Sequence, residues 1–532
     1  DARADVNVRV AGPMLSSPNP VSTPSSPTGD LDILHARLFQ TAMSYCSSKC
    51  NYQAYTWAGN MTAEGSFPDI DYTDQSRTVW KACDHWSRLQ SMAIAMHCAA
   101  DCHFKTPPKP LFPAIKAGIG FWASKDFIDP NWWWNDFGVP MAVAPFGIVM
   151  KNTTSPDGGA ALPSLDNTSW AEINKLLGRG SDPMWKPGGK RGPRYTGENL
   201  VWSLQLDINR GVLTSNTTLV QAAFDRMWGS ITVEPQAGDG MMADGSFHQH
   251  GPLLQSGSYG GALMTDVLQF SSLSGGTSFA ITPTPRGVLV DYLLDGQQYM
   301  LFGAQDAAVW LVPPVGREIV RSPGVHAFPW GDVVAGIGGL LMDPSTPRAD
   351  ELTLFRHRLD GSEPLPTQTR HYPESDYTVH HRATFSQDIR TWSNRTYNAE
   401  CVNAENQLGG HMADGAAFTH VDGGEYDRIY PVWDWQKIPG VLARSTPIDT
   451  PCDFEMYGRT AFVGGVHVNP PTSSPSPSPT TSPSPRSHVG GVVAMDFARA
   501  PKKPAGAGAG GGAGVGVGGG DVGSSVGVNV GV

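Results

Sequence analysis

Residues 244–260 read DGSFHQHGPLLQSGSYG, and from Gly261 the chain continues GALMTDVLQF. Gly245, Gly251, Gly257 and Gly260 punctuate the first stretch, and glycine permits positive φ and close backbone approach. In the second stretch apolar residues recur at three- and four-residue intervals, which predicts a helix over 261–273. A glycine-framed turn thus runs straight into a helix. Inside it His250 and Tyr259 lie nine positions apart (259 − 250). Two proton-transfer side chains in such a frame suit a catalytic segment, although the pair taken alone reads more readily as a polar surface loop.

Outward from this segment the helical period holds through most of the first part of the chain. DILHARLFQTAMSYC (32–46) and TVWKACDHWSRLQSMAIAMHCAA (78–100) carry it, and further helices are predicted over 170–177, 198–213, 218–231 and 288–301. Between them lie long Gly- and Pro-rich loops such as 183–194. Many helices joined by long, tryptophan-bearing loops fit a helical toroid better than a short-turned bundle. Beyond about Gly324 the period changes. VVAGIGGLLMD (333–343), YTVHHRATFSQDIRTW (377–392) and FTHVDGGEYDRIYP (418–431) are rich in β-branched and aromatic residues, which predicts a β-domain over 325–468. The helical domain is accordingly read over 30–324. Residues 1–29 read as a disordered Pro/Ser-rich leader, 469–488 as a Pro/Ser linker or insertion, 489–498 as a short β-segment and 499–532 as a disordered Gly-rich tail. FVGGV (462–466) and GGVVAMDF (490–497) look like neighbouring β-segments split by the insertion.

The net charge of −11 offers no basic stripe for nucleic acid. No apolar run approaches the ~20 residues that span a bilayer. The chain starts at Asp1, which reads as processing or a fragment, and five N-x-S/T sequons (Asn60, Asn152, Asn167, Asn216, Asn394) point toward secretion. There are seven cysteines; Cys46 and Cys50 are four apart, as are Cys98 and Cys102. On two facing helices they would pair as Cys46–Cys102 and Cys50–Cys98, with buried free thiols as the alternative and a four-thiolate metal site a distant third.

The run QHGPLLQSGSYG resembles the catalytic segment of polysaccharide lyase family 8, the hyaluronate, chondroitin AC and xanthan lyases, and its wording is nearest the chondroitin AC type. Other segments resemble that family in the same order: NWWWNDFGVP (131–140), TGENL (196–200), GREIVRSPG (316–324), NAECVNAEN (398–406) and PVWDWQKIPG (431–440). The resemblance implies an α+β multidomain chain, with an N-terminal α/α toroid (an incomplete double-layered helical barrel) followed by an antiparallel β-sandwich domain. Family members continue with more β-structure, so the β-domain is expected to be truncated here.

The same resemblance assigns roles. Trp132 and Trp133 would stack on sugar rings, and Trp134 is an additional indole. Asn199 would neutralise a uronate carboxylate from the first turn of a helix, where the macrodipole helps. Tyr259 would abstract the proton α to that carboxylate and return one to the leaving oxygen, with His250 assisting. A free tyrosine titrates near ~10, so nearby positive charge would have to favour phenolate. Arg317 and Arg321 would supply that charge, and Glu400 would hold the arginine and histidine. Asn403, Trp433 and Trp435 would complete substrate binding, although Cys401 stands where the family has serine. The His248/His250 spacing lacks a third ligand, so no metal is assigned. No cofactor is required, and a structural Ca²⁺ is open but not indicated.

The implied activity is a carbon–oxygen lyase: β-elimination on a uronic-acid-containing polysaccharide such as chondroitin, hyaluronan or a xanthan-like chain. The implied protein is secreted, extracellular and monomeric, with an acidic polysaccharide as its partner and neither nucleic acid nor membrane. Two alternatives stand beside it. One is a glycoside hydrolase on an α/α toroid, for which Asp136, Glu198 and Asp244 are available carboxylates. The other is a non-catalytic acidic-glycan-binding protein.

Overall fold

A computed structural model describes residues 27–44, 46, 50–98, 102–104, 108–154, 160–235, 238–321, 326–441, 457–458, 460–468, 490–497 and 524–530. The leader (up to residue 26) and the Pro/Ser tract lie outside these residues. The chain divides into two units. The first comprises Asp1–Thr232, Ala262–Val290 and Pro329–Arg356; the second comprises Val233–Gly261, Asp291–Phe328 and His357–Val532.

The first unit is helical. Its helices include Asp84–His97, Leu111–Lys125, Val139–Lys151, Asn167–Leu177, Gly197–Leu213 and Thr217–Gly229. Side-chain caps start several of them: Asn51, Asp166 and Asn216 accept from the backbone N–H three residues on. Each satisfies a donor that the first turn leaves without a partner. Trp80, Trp86, Trp122, Phe67, Phe137 and Phe146 are fully buried and form the centre of an aromatic core. Each buried side chain of this size contributes roughly 1.5–3 kcal/mol.

Two expectations fail here. VVAGIGGLLMD is not β-structure; it lies mostly in the helix Trp330–Leu341, which buries Val333, Ile337 and Leu340 at helical spacing. Its glycines are contact points. A Cβ on Gly336 would come within 2.6 Å of Leu268, and one on Gly339 within 2.3 Å of Ser272. The disulfides are Cys46–Cys98 and Cys50–Cys102 rather than the crossed pairs. Cys46 and Cys50 follow the helix Pro27–Met43, and Cys98 and Cys102 follow the end of Asp84–His97, so no facing helices impose the reverse order. Cys401 is also disulfide-bonded, and Cys83 is a buried free thiol.

The second unit carries the sheets. Gln368–Tyr372, Tyr377–Arg382, Phe385–Arg390 and Ala416–His420 form an antiparallel sheet with neighbours in chain order. Tyr372 and Tyr377 face each other in its first hairpin and are both fully buried. A second antiparallel sheet pairs Val463–Val468 with Gly490–Phe497, and that strand with Ser524–Val530. The last strand corrects the expected disordered tail over those residues. Their SSVGVNV sequence alternates valine with small or polar residues, and the ladder satisfies its backbone groups. No helix among the described residues is long and apolar enough to cross a membrane.

Candidate active site

Tyr259 is the first residue of the helix Tyr259–Ser274. The turn before it is closed by Gln255, whose carbonyl accepts from Gly260 N at 2.8 Å and whose side-chain oxygen accepts from the Ser258 hydroxyl. Gly260 is tightly enclosed: a Cβ there would lie 2.6 Å from the Tyr292 hydroxyl. Nine residues back, His250 has φ +64° and Gly251 φ +86°. A left-handed histidine needs bracing. Asp239 provides it, accepting from Gly251 N and from Gln249 Nε2, each at 3.0 Å.

These turns bring the two rings together, with centroids 5.1 Å apart and edge to face. His250 Nδ1 lies 2.8 Å from Glu400 Oε2. The carboxylate only accepts, so Nδ1 carries the proton and a neutral imidazole keeps its lone pair on Nε2. Arg317 holds the other side. Its Nη2 donates to Tyr259 Oη at 3.1 Å, its Nη1 to Glu400 Oε1 and its Nε to Glu405 Oε2 at 3.0 Å. Arg321 donates to both oxygens of Glu405, at 2.6 and 3.0 Å. Gln255 Nε2 adds a further bond to Glu400.

Burial dominates the phenol and raises Tyr259 above the ordinary tyrosine value, and the charge and hydrogen bond of Arg317 only partly offset it. Nearby positive charge was expected to favour phenolate; here it moderates the upward shift that burial causes. Glu400 and Glu318 add to the upward shift, and both guanidiniums are paired with carboxylates, Arg317 with Glu400 and Glu405 and Arg321 with Glu405. Glu400 behaves oppositely. Burial pushes it up, but the His250 hydrogen bond and the Arg317 charge outweigh that and hold it below the usual glutamate range.

Asn403 is half-buried with φ +56°, three residues after Glu400. Trp435 is buried and Trp433 half-buried, with their ring centroids 5.5 Å apart beside Tyr430. Of the two, Trp433 presents more surface. Glu405, Gln255 and Asp239 were not singled out from sequence. Glu405 is five residues after Glu400, a spacing that carries no local signature.

Asn199, Trp132 and Trp133 belong to the first unit. Asn199 is the third residue of Gly197–Leu213, buried, and its Oδ1 has no hydrogen-bond partner among the described residues. Trp132 and Trp133 are half-buried while Trp134 is buried, with its indole N–H on the Arg77 carbonyl at 3.1 Å. The tryptophans stand at the start of a helix that continues through the π-turn Trp134–Gly138 rather than in a loop. Gly138 makes room for them, since a Cβ there would lie 2.3 Å from the Trp134 ring.

The other carboxylates are engaged. Asp136 accepts from the Tyr195 hydroxyl at 2.5 Å and is pushed up to about 7, mainly by burial. Glu198 is raised by burial and by a shared hydrogen bond with Asp266. Asp244 accepts from Ser246 and from Glu374 N. His248 is buried against the Ser375 hydroxyl at 2.9 Å.

Residues 32–323 match the N-terminal alpha-helical domain of polysaccharide lyase family 8, and residues 367–471 match that family's super-sandwich domain. The chain belongs to polysaccharide lyase family 8. It is 26% identical over 419 residues to the chondroitinase-AC of Pedobacter heparinus, covering 76% of this chain and 54% of that protein. It is 24% identical over 430 residues to the hyaluronate lyase of Thermasporomyces composti, covering 73% and 52%. A chondroitinase AC lyase solved with oligosaccharides aligns with a TM-score of 0.69 at 23% identity, covering 88% of this chain and 63% of that one. The fold is that of the chondroitin lyases, an α/α toroid followed by an antiparallel β-sandwich. This chain spans about half the length of the relatives it matches.

Proposed function

We propose that this protein is a carbon–oxygen lyase that cuts a uronic-acid-containing, glycosaminoglycan-like polysaccharide by β-elimination. The carrying observation is a single guanidinium, Arg317, donating to Tyr259 Oη at 3.1 Å and to Glu400, the carboxylate that also holds His250 at 2.8 Å. In the reaction the proton on C5 of the uronate goes to the base. Its electron pair forms the C4–C5 double bond, the C4–O bond breaks, and the leaving oxygen is protonated. Tyr259 serves as base and then acid, with His250 Nε2 taking part in the transfer. Asn199, in the first turn of the helix Gly197–Leu213, is the amide donor that meets the uronate carboxylate through Nδ2. Arg317, Arg321 and Glu400 form the electrostatic frame. Trp132, Trp133, Trp433, Trp435 and Asn403 bind sugar. The disulfides fit an extracellular, oxidising compartment.

The elevated phenol favours one variant, in which His250 Nε2 takes the C5 proton and Tyr259 acts only as acid. The hydrolase alternative has less support, because Asp136, Glu198 and Asp244 are each tied to other partners. The test is turnover of chondroitin and hyaluronan followed by ultraviolet absorbance and chain length. Cleavage with growing absorbance is expected, and Tyr259→Phe should abolish it. Cleavage giving only new reducing ends would overturn the lyase reading. With an activated aryl leaving group, which needs no acid, recovery of Tyr259→Phe turnover selects His250 as base.

A further inference from the structure

The loop from Glu400 to Glu405 is closed at both ends on one side chain. Arg317 reaches Glu400 with Nη1 and Glu405 with Nε, the latter at 3.0 Å, leaving Nη2 for Tyr259. Within and beside the loop, Asn403, Ala404 and Asn406 have φ of +56°, +64° and +55°. Such conformations in non-glycine residues persist only where surrounding bonds hold them. Asn406 Nδ2 supplies one such bond, to the Glu400 carbonyl at 3.0 Å. The disulfide at Cys401 and the Glu405 N–H on the Val402 carbonyl at 3.1 Å supply others, and the Glu405 side chain adds more: it is buried, receives Arg317 Nε, and takes a two-pronged bond from Arg321 at 2.6 and 3.0 Å. Fork-to-fork pairing of this kind fixes direction as well as distance.

We propose that Glu405 is a positioning residue of this site, fixing Arg317 on the Tyr259 hydroxyl and tempering the field that the arginine pair exerts there. This rests on the lyase reading for its importance to turnover but not for its effect on Tyr259. The charged groups around the phenol are Arg317, Glu400 and Glu318, with His250 packed against the ring. Arg321 and Glu405 stand behind Arg317. Glu405 therefore cancels positive charge that would otherwise act on the phenol through Arg317. Replacing it with glutamine keeps an acceptor for the guanidiniums and removes the negative charge. Aspartate keeps the charge with a shorter reach.

The test is a ¹³C NMR titration of tyrosine Cζ in wild type, Glu405→Gln and Glu405→Asp, with the Tyr259 signal assigned by its loss in Tyr259→Phe. The Tyr259 midpoint is expected to fall by about one pH unit in Glu405→Gln and to stay near wild type in Glu405→Asp. An unchanged or raised midpoint in folded Glu405→Gln would overturn the proposal. Should Glu405→Gln fail to fold, the Arg321→Gln variant carries the test: by releasing Glu405 to face Arg317 alone it should raise the midpoint, and an unmoved midpoint overturns the proposal. Turnover is read separately. An inactive wild type with the expected NMR shift defeats the lyase reading alone, and an active wild type with no shift defeats the role of Glu405 alone.

Discussion

The two units bury different things. At the centre of the first are rings: Trp80 and Trp86 each pack edge-on to Trp122, and Trp86 edge-on to Phe146. At the centre of the second are ions and imidazoles. Arg317, Glu400 and Glu405 are buried together; Arg390 is buried among the carbonyls of Ser375, Thr391 and Tyr397; Asp376 gathers Ser393, Thr396 and Arg395. His248, His326, His381 and His420 are buried there too. A core built mainly of rings draws its stability from apolar burial, which salt barely alters, even though His85, Asp136 and Glu198 are buried in that unit. A buried ionic network gives exact donor directions but depends on every member, since one missing partner leaves a buried charge uncompensated.

The sharpest way to break this contrast is Glu400→Ala, which leaves Arg317 and His250 without their shared acceptor. A stability loss of about 3–5 kcal/mol, with loss of turnover beyond the unfolded fraction, is the expected result by denaturant titration and assay. If Glu400→Ala were as stable as wild type, the second unit would not depend on its ion network. Trp86→Ala in the first unit should cost a similar ~3–5 kcal/mol, yet leave the activity of each folded molecule near wild type. Parallel loss of stability and specific activity would contradict that separation.

Acid should separate the units next. Burial lowers His248 to about 3 and His326, His381 and His420 to about 4, against an ordinary value of 6.5. The unfolded histidines bind protons first on acidification, so their contribution is complete above 6.5 and is lost progressively as pH falls toward 4. Asp388, raised to about 8 by burial, and Glu374, also raised by burial, act in the opposite sense but are two groups against four histidines. In the first unit His85, lowered to about 3, is countered by Asp136 at about 7 and by Glu198, so the signs largely cancel. Hydrogen exchange between pH 7 and 4.5 should show the second unit losing protection first; simultaneous loss would refute this. The smallest effect concerns the helix Trp330–Leu341. Gly336→Ala, pressing on Leu268, should destabilise by about 1–3 kcal/mol without changing turnover per folded molecule, and a neutral or stabilising change would show that the helices give way.

Much of the site was legible because its side chains are framed by residues with local meaning. Glycines around His250 and Tyr259 mark turns, and the TGENL start places Asn199 in a first helical turn. The helices over 198–213 and 218–231 were read to within two residues of Gly197–Leu213 and Thr217–Gly229, because their apolar period is unbroken. The reading failed where one pattern serves two structures. VVAGIGGLLMD looks β-rich, but its glycines are a helix face fitted to Leu268 and Ser272. The cysteine spacing suited facing helices, but the bridges form in the segments after two helices and in the same order along both.

The sequence by itself determined the family and most of the helical and sheet-forming regions, and it singled out the phenol, imidazole and guanidinium that the structure brings together, because each is carried by local periodicity or by a short motif. Only the tertiary structure decided which carboxylates compensate the arginines, how deeply Tyr259 is buried, and the disulfide register. Those are set by burial and by partners tens to hundreds of residues away: Glu400 meets His250 across 150 positions, and Glu405 meets Arg317 across 88. Desolvation and Coulomb interactions depend on distance in space, and no local pattern of residues encodes it.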